Sequence, residues 1–173
     1  ITILIDEPEV TDEEIEEARE ASVAIYVIRR NTGEGFDRKN EKGDFLLSDM
    51  ERANLEKIAA AFDQTIVVFN TTVMDPRFTE EIDGIDGVIY MGLLGMEAGR
   101  ALCDIISGKV CPSGRLTDTW AKKYEDYPAS ATFSANDGDT QQENYNEDIY
   151  VGDRYCHHSG MEPMSPIYIC TPR

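Results

Sequence analysis

The most chemically suggestive residue is a carboxylate held between two glycines. In Asn31-Thr-Gly-Glu-Gly-Phe-Asp-Arg38 the glycines on either side of Glu34 free the backbone, so a loop here can reach outward and present a carboxyl group. Such a group can donate or accept a proton. Asp37 and Arg38 follow at once and could pair to orient the loop or touch a polyol. On spacing alone the plainer account stays open, because a charged loop residue is usually just solvated. The pair Gly33-x-Gly35 also invites a dinucleotide or phosphate-binding reading. That reading fails because position 38 is Arg where a third glycine is needed, and no helix is expected to begin there.

Other clusters carry less. Cys156-His157-His158 has no second ligand pair at zinc spacing, and Asn136-Asp-Gly-Asp139 lacks the further ligands and the distal Glu of a calcium loop. No metal and no cofactor are therefore expected. Trp120 and the tyrosines of Tyr124-Glu-Asp-Tyr127 could form a sugar platform, although packing in a core or a domain interface is the commoner fate of such rings. Glu97 is most simply a residue that complements a helix dipole.

The elements that must position Glu34 alternate in type. Thr11-Asp-Glu-Glu14 and Ser48-Asp-Met-Glu51 are capping boxes, predicting helices over 11–21, with Ile15 and Ala18 inward, and from 48 onward. In the second, Leu55, Ile58, Ala59 and Phe62 recur on one face. Ser22 to Arg29 is a β-branched run of the kind found in strands buried on both faces, and the loop carrying Glu34 follows it directly. Thr65 to Asn70 and Gly87 to Met91 read as further strands, the latter preceded by a polar loop. Ala98, Ala101, Leu102, Ile105 and Ile106 mark a third inward helical face, ended by Gly108. This alternation predicts an α/β fold: a flavodoxin-like α/β sandwich, mostly parallel, with helices on both faces. Ligands of such sheets meet the loops that leave the carboxyl ends of the strands, where Glu34 falls. Beyond Cys111 the pattern loosens. Arg115 to Trp120 could add an edge strand, and residues 129–146 read as a long polar loop.

The 173 residues, 41% of them hydrophobic, suffice for a single domain spanning 1–173. Sixteen basic against 34 acidic residues give a formal net charge of −18 with no basic run. Nucleic acid and anionic membrane surfaces are poor partners for such a chain, since that binding needs clustered cations. No apolar stretch approaches the length of a membrane span. The four cysteines are too irregularly spaced for a disulfide framework, and free thiols are expected. The chain opens without Met inside a strand-like run, which reads as a piece of a longer polypeptide, so its compartment stays open.

Several segments resemble one enzyme family in order along the chain. Thr32-Gly-Glu-Gly-Phe-Asp-Arg38 is followed by Gly43-Asp-Phe-Leu-Leu-Ser48, Ile66-Val-Val-Phe-Asn70 and Gly95-Met-Glu-Ala-Gly99. Then come Gly108-Lys-Val-Cys-Pro-Ser-Gly-Arg-Leu116, Tyr124-Glu-Asp-Tyr-Pro128 and Ile149-Tyr-Val-Gly152. Together these resemble the C-terminal α/β-sandwich domain of glycoside hydrolase family 3, of the β-glucosidase and β-xylosidase type. The resemblance implies that Glu34 is the general acid/base of a retaining β-glycosidase. It also implies that the nucleophile is an Asp on a separate (β/α)-barrel domain, and that this barrel and a β-glucoside or related oligosaccharide are the chain's partners. Residues 153–173 depart from the family pattern and form an atypical tail. The rival expectation is a non-catalytic carbohydrate-binding or interaction module on the same fold, indifferent to replacement of Glu34.

Overall fold

A computed structural model of the chain describes residues 2–3, 9–30, 37–133, 138–139, 141–142, 144–161 and 164. Two compact units are present, one built from residues 2–74 and 78–112 and the other from 75–77 and 113–164.

In the first unit four strands form one parallel sheet in the order β1 (Thr2–Ile3), β2 (Val23–Arg29), β3 (Gln64–Asn70), β4 (Ile85–Tyr90). β2 and β3 pair without interruption from Val23↔Gln64 to Arg29↔Asn70. Between β3 and β4 the register slips by one residue after Thr65↔Ile85. Asp86 is the extra residue there, and its carboxylate accepts the Thr65 N–H at 2.8 Å, which pairs that backbone donor. β3 lies between two strands and is buried on both faces, with Val67, Val68 and Phe69 fully covered. β2 differs from the doubly buried strand expected of its sequence. Ala24, Tyr26 and Ile28 are buried, whereas Val23, Ile25 and Val27 are only half-buried, because one of its faces is less completely covered. The alternation of strands and helices nonetheless makes the α/β class expected from the sequence.

The helices start where the capping boxes place them. α1 (Asp12–Glu17) and α2 (Asp49–Ala61) are both opened by reciprocal bonds, Thr11 with Glu14 and Ser48 with Glu51. α1 is shorter than the 11–21 span expected, giving way to a turn at residues 18–20. α2 packs against β2 and β3 with Leu55, Ile58 and Ala59 buried. It also holds the chain before α1: Asn54 Oδ1 accepts the Val10 N–H at 2.8 Å, and Lys57 Nζ donates to the Val10 carbonyl at 2.8 Å.

The polar stretch before β4 contains a short helix, α3 (Phe78–Glu81), which the sequence did not announce. Phe78 anchors it against Phe69, ring centroids 5.7 Å apart. α4 (Ala98–Ile106) forms as expected and is followed by Gly108 in the left-handed region at φ 72°. Its apolar stripe is not the inward face expected. Ala98, Leu102, Ile105 and Ile106 are half-buried and Ala101 is exposed, so no residue of α4 is fully covered.

In the second unit, residues 115–120 pair with no strand among the described residues. Asp118 instead bonds the adjacent Thr119 N–H at 2.8 Å, a local turn contact that competes with a ladder. Trp120 and Ala121 are buried. A 3₁₀ turn spans Tyr124–Asp126, and α5 (Asp153–Ser159) occupies the stretch set apart by its sequence. Among the described residues no helix is long and apolar enough to cross a membrane.

Candidate functional site

Because the sheet is parallel, the chain leaves β2, β3 and β4 along one edge. Glu34 lies in 31–36, outside the described residues. The residues on either side of that segment are described, and a half-buried arginine stands near each end.

Arg30 continues the strand: its N–H reaches the Asn70 carbonyl at 3.4 Å. Its guanidinium donates to both carboxylate oxygens of Glu51, Nη1 to Oε1 at 2.5 Å and Nη2 to Oε2 at 2.6 Å. The side chains of Arg30 and Glu51 are only 9% and 10% exposed. Arg30 Nε donates to the backbone carbonyl of Asp44 at 3.0 Å. Glu51 is also the capping residue that accepts the Ser48 N–H at 2.8 Å, so one carboxylate opens α2 and holds the end of β2.

Arg38 turns inward from the far end of the segment. Nη2 donates to Thr71 Oγ1 at 2.9 Å and to the Val73 carbonyl at 3.3 Å, both just past β3. Nη1 lies 3.0 Å from Asp44 Oδ1 as an ion pair, though it is not aligned as a hydrogen bond. Its Nε is buried and has no hydrogen-bond partner among the described residues. Burial lowers the Arg38 pKa from its ordinary value, the Asp44 carboxylate opposes that, and the neighbouring Arg30 charge adds to the lowering. A guanidinium nonetheless stays protonated, so Arg38 keeps its charge. Asp44 Oδ2 also accepts the Lys39 N–H at 2.8 Å.

Of the residues singled out by sequence, Arg38 is thus engaged within the protein and Asp37, its neighbour, is exposed. Arg30, Asp44, Glu51 and Thr71 were not singled out as part of this site. Only Glu51 carried a local signal, its capping-box spacing; the other partners come together only when β2, β3 and α2 are assembled. Glu97 stands at the N-cap of α4 without a side-chain cap bond, and pairs with Arg100 at 3.8 Å on the surface. In the second unit Trp120 is buried, and the Tyr127 hydroxyl accepts the Ala121 N–H at 3.2 Å, so these rings pack rather than form an open platform. His158 stacks on Tyr150, centroids 4.3 Å apart. Among the described residues no group of three or more His, Cys, Asp or Glu side chains could hold a metal ion.

Residues 4–153 match the family described as glycosyl hydrolase family 3 C-terminal domain, and the match ends where the atypical tail begins. A β-glucosidase A of Butyrivibrio fibrisolvens is 34% identical over 176 residues, covering 88% of this chain and 21% of the relative. The structure of β-glucosidase 3B from Thermotoga neapolitana in complex with glucose superimposes with a TM-score of 0.81 at 34% identity, over 89% of this chain and 22% of that one. A β-glucosidase from Paenibacillus barengoltzii superimposes with a TM-score of 0.79 at 39% identity, over 87% of this chain and 16% of that one. The chain therefore spans about a fifth of the length of these relatives. With a family match across most of its residues and the same fold in the solved relatives, this chain belongs to glycosyl hydrolase family 3, whose C-terminal domain it represents.

Proposed function

We propose that this chain is the acid/base-bearing domain of a retaining β-glycosidase that hydrolyses terminal β-D-glucosyl or xylosyl residues, with Glu34 as the acid/base. The observation that supports this reading is the position of Arg30, the residue that precedes Glu34's loop in sequence: it stands at the carboxyl end of β2 in a parallel sheet, where such folds bind ligands, and is held there by Glu51. The relatives named β-glucosidases, one solved with glucose, point to the substrate class.

A retaining glycosidase needs two carboxyl groups about 5 Å apart. One must be protonated to donate to the leaving oxygen, and the other ionised to attack the anomeric carbon. Glu34 takes the first role. Burial under substrate and a nearby anionic nucleophile raise its pKa; after the leaving group departs it accepts a proton from the attacking water. One carboxylate cannot act as donor and nucleophile in the same step; the family resemblance implies that the nucleophile is an Asp on a barrel domain elsewhere in the parent protein. The isolated chain is then inactive, and a clear hydrolysis rate from it overturns this division of roles.

The test compares Glu34→Gln with the unmodified parent enzyme on β-glucosides and β-xylosides of good and poor leaving groups. Loss of the acid leaves activated aryl glycosides nearly unaffected in the glycosylation step and cripples those with poor leaving groups. An equal effect on both, or none, makes Glu34 scaffolding and favours a carbohydrate-binding module.

A further inference from the structure

We propose that the loop after β4, residues 91–97, forms a docking surface together with the apolar stripe of α4, and that its occupant is a further domain of the same parent polypeptide. The proposal goes beyond the acid/base reading of Glu34 and does not depend on it.

The loop is held at both ends and yet offers its large side chains to solvent. Met91 and Gly92 both donate their N–H to the Phe69 carbonyl near the end of β3, at 2.9 and 3.1 Å. At the other end the Ala98 N–H reaches the Gly95 carbonyl at 3.1 Å, where α4 begins. Between these anchors Leu93 is 52% exposed, Leu94 58%, and Met96 wholly exposed. The surface continues into α4, where Ala98, Leu102, Ile105 and Ile106 recur on one helical face and none is fully covered. Single apolar residues on a surface need no explanation, but a continuous run presented by an anchored loop marks a contact.

Charge and length select the occupant. The ten residues from Gly87 to Met96 carry no charge in a chain of which 29% is charged. Such a stretch fits an apolar, charge-poor partner, the composition found at the centre of interfaces. A second copy is disfavoured, because each copy brings a net charge of −18 to the contact. A further domain is favoured by length, since this chain spans 21% of one β-glucosidase relative and 22% of a solved one. Contacts between domains of one polypeptide commonly bury about 600–1,500 Å², more than one short loop supplies, and the stripe of α4 extends the area. Met91 follows the carboxyl end of β4, so a domain seated here borders the sheet edge where parallel folds meet their ligands.

The experiment compares this chain alone with the full-length parent enzyme, using dilute hydrogen peroxide as the probe and following each methionine by peptide mass. Peroxide converts an accessible thioether to its sulfoxide. Met96 is expected to oxidise in the isolated chain at nearly the rate of free methionine, and at least about tenfold more slowly in the parent. Met74, fully buried within this chain, stays slow in both and reports that the fold is intact. Leu93→Asp combined with Leu94→Asp should restore rapid oxidation of Met96 in the parent, while shifting the thermal midpoint of the isolated chain by less than about 2 °C. Should that variant of the parent not fold, the comparison of the two unmodified proteins decides the matter. Equally fast oxidation of Met96 in chain and parent overturns the proposal. So does slow oxidation that becomes fast on dilution as a dimer dissociates in sedimentation, since the cover is then a second copy. If Glu34→Gln shows no selectivity for poor leaving groups, the acid/base reading fails by itself, and the oxidation of Met96 still decides the docking surface.

Discussion

Arg30 and Glu51 meet through two parallel contacts of 2.5 and 2.6 Å, fork against carboxylate, with both side chains about nine-tenths buried. The pair joins the residue after β2 to the first turn of α2. A pair this well desolvated is sensitive to the loss of one partner, because the remaining charge stays buried without compensation. Glu51→Ala is therefore expected to destabilise the chain by about 3 kcal/mol or more, since it also deletes the acceptor of the Ser48 N–H. Replacing both residues by apolar ones of similar size, Arg30→Met with Glu51→Leu, should cost less than Glu51→Ala alone. Chemical denaturation of the four corners of this cycle measures it; a double substitution worse than the single one would show that Arg30 contributes chiefly through its bond to the Asp44 carbonyl instead.

Capping separates the two N-terminal helices. Ser48 and Thr11 make the same reciprocal bonds, yet α2 runs for 13 residues and is packed on the sheet whereas α1 runs for 6 residues with none buried. Ser48→Ala is expected to cost about 1 kcal/mol, a typical value for a lost N-cap. Thr11→Ala should cost distinctly less, because a short exposed helix can fray without exposing core. Comparable losses in the two variants would mean that α1 is coupled to the fold as tightly as α2.

Much of this architecture was legible because its signals are local. A capping box is read within four residues, a β-branched run within eight, and Gly108 marked a helix end that is indeed left-handed. What escaped depends on distant partners. α3 owes its place to Phe78 lying against Phe69, and the Arg38 guanidinium points inward because Thr71, Val73 and Asp44 wait there. Glu51 shows both sides of the matter: its spacing from Ser48 announced a cap, while nothing in the sequence announced Arg30. The apolar stripe of α4 predicted a helix correctly and its burial incorrectly, since periodicity reports which face is apolar and not what covers it.

Two glycines distinguish conformational strain from steric exclusion. Gly84 and Gly108 both have positive φ, 90° and 72°. A Cβ at Gly84 would stand 2.8 Å from the Ala59 carbonyl oxygen, a backbone atom that cannot move without shifting the end of α2, whereas one at Gly108 meets nothing within 4 Å. Gly108→Ala should therefore cost about 1–2 kcal/mol from backbone strain alone, and Gly84→Ala more than that. Equal costs in denaturant titrations would show that the approach of residue 84 to α2 is readily relaxed.

Alkaline stability tests the second unit through Tyr127. Partial burial raises the pKa of this phenol, the bond it accepts from Ala121 lowers it, and nearby Asp118 contributes a smaller raising effect. The folded pKa lies above the unfolded value of about 10. Below that value both states keep the proton and the group's full contribution is present; as pH rises from about 10 through the folded pKa, the unfolded state ionises first and the contribution is lost. Tyr127→Phe removes this titration together with the acceptor for the Ala121 N–H. The variant should be less stable than the parent chain at pH 8, and the gap between them should narrow by pH 10.5. Denaturant midpoints at the two pH values give both differences directly. A gap that stays constant across that interval would mean that the phenol ionises as readily in the folded chain as in the unfolded one, and that burial around Tyr127 is looser than its contacts imply.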